Sequence, residues 1–431
     1  MRIERPEYLN KLIAARDNGR VKVITGLRRC GKTYLVRNLY ADWLRENGVP
    51  DKNIIYLALD RASNARYRNP LLLDEYLQKI VSETDGRCYV MIDEIQFSVA
   101  VDNPALPENV RTPENRLTFY DTLLGLMDEC DLYVTGSNSK MLSKDILSGF
   151  RDRGHEIRMH PLSFEEYYSA VGGDTRGAWI EYLNHGGMPQ VLTFDDRASK
   201  DGYLKNLLNE TYVKDIVEHN RVDDSGDLSN LLEVMASCCG CLTNPTNISN
   251  TYPPKTLSRN TVDRYIGFFK DSFILNESKR FDIRGRKIIK GQQKYYFEDL
   301  GLMNAILNFR EMKTHVLIEN AVYNELVRRG YNVDVGRIDY TKRIDGTNTT
   351  VALETDFVIN KSFERLYIQV AEGIDEPGEL EQEEASLLRI KDGFGKMILV
   401  NTDTPQHYTE NGIRIMSILD FMLDRDCLEC I

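Results

Sequence analysis

The chain has 431 residues, 42% of them hydrophobic and 28% charged, with a formal net charge of −11, a size that accommodates roughly two to four domains. An acidic balance excludes a protein that coats nucleic acid over its whole surface, although a local basic patch is compatible with it. No run of about eighteen apolar residues occurs, and the opening MRIERPEYLN lacks the apolar segment of a signal peptide, so a cytoplasmic protein with no membrane contact is expected. Eight cysteines scattered over such a length point to reduced thiols. Cys238, Cys239 and Cys241 cluster, and Cys427 and Cys430 form a C-x-x-C, but the six histidines offer no ligand spacing to either group. Packing of Cys238 to Cys241 inside a helix is the expectation.

Residues 1 to 20 read as an amphipathic lead-in helix before a first strand. The strand opens VKVITGLRRCGKTYLVRNL, residues 21 to 39, in which Val21, Val23 and Ile24 are apolar and Gly26 to Thr33 fit G-x-x-x-x-G-K-[ST]. Strand, glycine loop and helix in that order form a phosphate cradle. Gly26 and Gly31 permit positive φ and a close backbone approach, and the helix beginning at Gly31 adds its positive dipole end. Leu27, Arg28, Arg29 and Cys30 complete the loop, with Tyr34 just beyond it. Lys32 is expected on the β- and γ-phosphates and Thr33 on Mg²⁺.

Further strands are expected at Asn53 to Leu59 and Cys88 to Ile95, with a helix from Leu71 to Val81 between them. Asp93 ends the second of these strands as a carboxylate placed to hold Mg²⁺, and Glu94 follows it as a group to orient or deprotonate the attacking water. Residues 98 to 116, rich in proline, asparagine and acids, read as a surface loop. A helix from Arg116 to Cys130 leads to a strand at Asp131 to Val134 that ends in Thr135, Gly136, Ser137 and Asn138. Asn138 or Ser137 is the expected γ-phosphate sensor; a capping turn before a helix at Lys140 to Leu147 is the other reading. Arg151 and Arg153 are candidates for an arginine finger supplied to a neighbouring subunit, which requires a homo-oligomer.

Residues 161 to 222 read as a helical lid, interrupted by the sharp turn His185 to Pro189. Residues 223 to 305 hold three short helices and a hairpin, the pattern of a winged helix-turn-helix. Between Lys255 and Lys294 stand eleven basic residues against four acidic ones, a plausible footprint for double-stranded DNA. A winged helix also serves as a protein interface. Residues 306 to 431 begin with a helix from His315 to Arg329, followed by strands at Asn332 to Arg337, Val351 to Ile359 and Arg365 to Ala371. Glu319, Asp356, Gln369 and Ala371 outline a nuclease site of the form acid, acid, x, lysine, with the second acid and the lysine missing unless Glu372 substitutes. An inactive scaffold is expected.

The segments GLRRCGKT, YVMIDEIQ, YVTGSNS, FRDRG and HPLSFEEYY resemble the prokaryotic AAA-type ATPases that carry a winged helix and a C-terminal domain of unknown function related to restriction endonucleases. ENAVYNELVRRGYNV and ETDFVI resemble the latter domain. The resemblance implies an α/β fold: an AAA-type core over 1–160 with a parallel sheet, a lid over 161–222, a winged helix over 223–305 and an α/β nuclease-like domain over 306–431. It implies ATP with Mg²⁺, hydrolysis served by Lys32, Thr33, Asp93, Glu94 and Asn138, and a lead-in segment beside the adenine. Two departures stand out: Asp152 where glycine is frequent, and Ala371 in place of the nuclease lysine. The rival expectations are an ATP-regulated DNA-binding regulator or nuclease, and a switch that binds nucleotide and a protein partner without hydrolysis.

Overall fold

The computed structural model describes residues 2–136, 150, 153–222, 225–253, 256–310, 313–344 and 347–428. The chain divides into two compact units, Met1–His160 with Asp271–Phe273, and Pro161–Lys270 with Ile274–Ile431. Among the described residues no helix is long and apolar enough to cross a membrane.

The first unit is built on five parallel strands, β1 (Val21–Gly26), β2 (Ile54–Ala58), β3 (Cys88–Asp93), β4 (Cys130–Thr135) and β5 (Gly154–Met159), in the order β2-β3-β4-β1-β5. Every residue of β1, β3 and β4 is buried, as expected of parallel strands covered on both faces. Val21, Val23, Val90, Ile92, Leu132 and Val134 form one core with Leu73, Leu77, Leu123 and Leu126 of the helices Pro70–Glu83 and Phe119–Leu126. The second of these helices starts three residues later than expected because Thr118 and Asp121 form a capping box at its entrance. Strand β5 alternates only over Glu156 to Met159, with Ile157 and Met159 buried, too short a signal to mark a strand in the sequence. It forms nonetheless, as an edge strand matched residue for residue to β1 from Val21 opposite Gly154 to Gly26 opposite Met159. Because all five strands are parallel, Gly26, Ala58, Asp93 and Thr135 end along one edge of the sheet. That edge is where open α/β sheets bind ligands.

The second unit carries an eight-stranded sheet in the order β12-β13-β11-β10-β9-β8-β6-β7. Its members are β6 (Leu275–Asp282), β7 (Lys287–Phe297), β8 (Asn332–Ile344), β9 (Thr347–Lys361), β10 (Glu364–Ala371), β11 (Gly395–Val400), β12 (His407–Tyr408) and β13 (Arg414–Ser417). The expected three helices precede the hairpin β6–β7, at Ser225–Ser237, Pro245–Ser249 and Arg259–Asp271, and Thr243 bridges Gln293 of β7. The hairpin is not self-contained, however. Strand β6 runs parallel to β8, with Arg280 opposite Val335, so one sheet crosses the boundary expected at residues 305 and 306.

The helices expected to form a lid also belong to this second unit. Their central turn rests on Asp299, which accepts the Gly187 N–H at 2.7 Å, and Asn304 donates to the Leu183 and Asn184 carbonyls at 3.0 and 2.8 Å. Gly186 is required there, since its φ is +71° and a Cβ would stand 2.4 Å from Asp299 Oδ1. Cys238 to Cys241 lie in a turn just past the helix Ser225–Ser237 rather than inside it, and the buried Cys239 thiol donates to Asn320 Oδ1 at 3.1 Å. Cys430 lies outside the described residues.

Candidate nucleotide site

The cradle begins where β1 runs out. Gly26 has φ +132°, and a Cβ there would lie 2.0 Å from the Met159 carbonyl oxygen, so the turn off the strand admits no side chain. Arg29 and Gly31 also have positive φ, and a helix starts at Lys32. The buried Lys32 ammonium folds back across the loop, donating to the Gly26 and Leu27 carbonyls at 2.9 Å each. Leu27 and Cys30 are buried, Arg28, Thr33 and Tyr34 half-buried, and Arg29 exposed.

Three hydroxyls converge on the Asp93 carboxylate at the end of β3. Thr33 Oγ1 donates to Oδ2 at 2.9 Å, Tyr56 Oη of β2 donates to the same oxygen at 2.7 Å, and Thr135 Oγ1 of β4 donates to Oδ1. Burial, and then the Asp93 charge, push the Tyr56 phenol above its ordinary range. The backbone leaves β3 through Glu94, whose φ of +57° is left-handed. Its N–H donates to Thr135 Oγ1 at 3.3 Å, and its carboxylate accepts the Gln96 amide. Gly26 to Thr33, Asp93 and Glu94 thus meet at one end of the sheet. A hydroxyl and a carboxylate in direct contact form the hard oxygen donor set that suits Mg²⁺.

Arg153 lies elsewhere. Its carbonyl accepts the N–H of Val21 at the opposite end of β1, roughly 17 Å along the strand from Gly26. Its side chain is exposed, and the finger role expected of it is one supplied to a second copy. Asn138, Ser137, Arg151 and Asp152 lie outside the described residues.

The sequence reading missed Tyr56, Thr135 and, above all, Arg5. Arg5 is 2% exposed, precedes the helix Pro6–Ala15 and stacks over the ring of Tyr8 in its first turn. It donates to the Cys30 carbonyl at 3.1 Å and to the His160 carbonyl at 2.8 Å, while Tyr8 Oη accepts the His160 N–H at 3.1 Å. In a trans peptide the carbonyl and the following N–H point oppositely, so pinning the Cys30 carbonyl turns the Gly31 N–H away from Arg5. An arginine before a proline carries no local signal of this contact. Arg5→Ala should weaken nucleotide binding roughly tenfold through the lost charged hydrogen bonds, measured as the Kd of a fluorescent ATP analogue. An unchanged Kd in the folded variant would mean that the loop keeps its shape unaided.

The second unit gathers the acidic residues singled out as a nuclease outline. Glu319, on the helix Thr314–Arg328, accepts the Tyr296 hydroxyl at 2.6 Å. Asp356 of β9 accepts the Val370 N–H at 2.8 Å, and its own N–H reaches Gln369 Oε1 at 3.3 Å. Loss of solvent, then the Glu319 charge, push the Asp356 carboxyl up to about 8 while Lys294 pulls the other way. Glu372 does not fill the missing acid position: it accepts the His315 N–H at 2.7 Å. The cation expected to be absent is supplied by Lys294 of β7, 2.8 Å from both Glu319 Oε1 and Glu354 Oε1.

A family model described as an AAA domain matches residues 18–168, and one described as a domain of unknown function matches residues 176–313. An uncharacterized protein of Haemophilus influenzae is 30% identical over 98% of each chain. Another from Methanocaldococcus jannaschii is 26% identical over 86% of this chain and 79% of its own. Among solved structures, a Walker-type ATPase of Pyrococcus abyssi shares 13% identity over 71% of this chain and 96% of that one, with a TM-score of 0.47.

Proposed function

We propose, on the premise that this chain belongs to the family of AAA-domain P-loop ATPases, that it binds Mg-ATP at Gly26 to Thr33 and hydrolyses it. The observation that carries this reading is the direct Thr33–Asp93 hydrogen bond beneath a glycine loop at the carboxyl edge of the sheet. Backbone N–H groups of the loop hold the phosphates, and Lys32 leaves its two carbonyl partners to neutralise charge that builds on them. Thr33 and Asp93 would hold Mg²⁺, which when bound shields the phosphate oxygens. Tyr56 and Thr135 keep the Asp93 carboxylate aimed at that place. Glu94, freed from the Gln96 amide, orients and deprotonates the attacking water. Asn138 as sensor and Arg151 or Arg153 as a finger from a second copy belong to the same reading.

Steady-state ATP hydrolysis is the test, run with and without double-stranded DNA. Turnover that requires Lys32 and Glu94 supports the proposal. ATP retained through purification with no phosphate released would favour a non-hydrolysing switch with a protein partner.

A second reading, that nucleotide state regulates DNA binding through the winged helix, is favoured by one specific feature. Arg284, Arg286, Lys287 and Lys290 are all exposed on the β6–β7 hairpin, and Lys342 and Arg343 are exposed towards the end of β8, which runs parallel to β6. Binding to a DNA duplex should fall steeply with salt. Replacing Arg284, Arg286 and Lys287 by alanine should reduce the slope of log K against log salt by roughly 3. A slope unchanged by the triple substitution would move the contact off the hairpin.

A further inference from the structure

Three carboxylates in the second unit come from distant parts of the sequence: Glu319 from a helix, and Glu354 and Asp356 from one face of β9. Gathered without a cation they would repel one another, and each would lose hydration without return. A divalent metal ion is the usual remedy for such a cluster, and the nuclease resemblance implies one. The residues do not fit it. Gln369 and Ala371 stand at the expected further acid and lysine positions, and among the described residues no group of three acidic, histidine or cysteine side chains is arranged to hold a metal.

What the cluster does contain is an ammonium group. The Lys294 side chain is 4% exposed, and its Nζ lies 2.8 Å from Glu319 Oε1 and 2.8 Å from Glu354 Oε1. Tyr296, two residues along the same strand and so on the same face, donates to that Glu319 oxygen at 2.6 Å. Asp356 is served separately by the Val370 N–H. A metal approaching the Glu319 and Glu354 oxygens would therefore meet a fixed positive charge already bonded to both.

We infer that Lys294 takes the place of a divalent cation in this cluster, so that Glu319, Glu354 and Asp356 form a metal-independent internal clasp instead of a hydrolytic centre. The clasp ties the base of the hairpin β6–β7 to the helix Thr314–Arg328 and to β9. It does not rest on the ATPase reading, because the residues and the readout are separate from the nucleotide loop.

The test uses the full-length protein without nucleotide, with thermal unfolding and Mn²⁺ binding by electron paramagnetic resonance as readouts. In the wild type, Asp356→Asn should leave the response to millimolar Mn²⁺ and to EDTA unchanged. Lys294→Met should lower Tm by roughly 10 °C and gain a Mn²⁺-dependent rise in Tm, which Asp356→Asn in the same background abolishes. An Asp356-dependent Mn²⁺ site in the wild type would overturn the inference, as would Asp356-dependent cleavage of duplex DNA. So would a folded Lys294→Met protein that neither loses stability nor binds Mn²⁺. Should Lys294→Met fail to fold, the wild-type comparison with Asp356→Asn decides alone.

Discussion

Lys32→Ala is expected to reduce ATP turnover at least about a hundredfold. Lys32 is 5% exposed, so its ammonium acts in a medium that screens it weakly. It is pre-positioned at the loop mouth by the Gly26 and Leu27 carbonyls, and binding of a phosphate exchanges two neutral acceptors for charged ones. Both ground-state binding and the barrier should suffer, so KM rises while kcat falls. Glu94→Gln should behave differently. It keeps size and polarity but removes the proposed base, so kcat should fall roughly a hundredfold with KM little changed. Phosphate release per folded molecule is the quantity to follow, since Lys32→Ala also removes one donor from each of the Gly26 and Leu27 carbonyls. Wild-type turnover in Lys32→Ala would rule out the loop as the hydrolytic site.

Asp131→Ala is expected to cost about 3–5 kcal/mol of stability while sparing catalysis in the molecules that remain folded. Asp131 of β4 is 1% exposed and pairs with Lys22 of β1, which is fully buried. The same carboxylate accepts the Tyr133 hydroxyl at 2.5 Å and the Asp17 N–H at 3.1 Å, and Tyr133 meets Tyr40 through their hydroxyls. Burial lowers the Lys22 ammonium below its ordinary range despite Asp131, so loss of that partner leaves little to keep it charged. Urea unfolding should register the loss as a lower midpoint. Lys22→Met combined with Asp131→Leu should recover much of it, because two apolar groups of similar volume leave no unpaired charge. The pair lies roughly 13 Å along β1 from Gly26, which is why kcat per folded molecule should hold. A double variant no better than Asp131→Ala would mean that the tyrosine and backbone contacts carry the stability.

The two networks differ in how far they could be read beforehand. Thr33 and Asp93 were named from GLRRCGKT and CYVMIDE, and in the structure they touch. Each motif carries its own mechanism: a glycine loop that only backbone geometry can explain, and an apolar run that ends abruptly in acid. Lys22 offered nothing of the kind. A lysine inside VKVIT reads as the solvent-facing member of a strand, and only a partner 109 residues later makes it a core residue. Arg5 is a similar case, because its acceptors are backbone carbonyls, which any residue possesses.

The sequence by itself determined the glycine loop, the acid-ended strand and the apolar cores of four of the five parallel strands, because these depend on local periodicity and on residue types with one dominant use. Tertiary structure decided the rest. It made the polar segment Gly154–Met159 an edge strand by offering it the free side of β1. It joined the β6–β7 hairpin to the C-terminal sheet through β8, where the sequence had suggested a boundary. It also returned to the acidic cluster a cation that the strand pattern had counted as lost, since Lys294 reaches Glu319 and Glu354 from another strand altogether. Charge compensation is set by distance in space, and spacing along the chain carries no record of it.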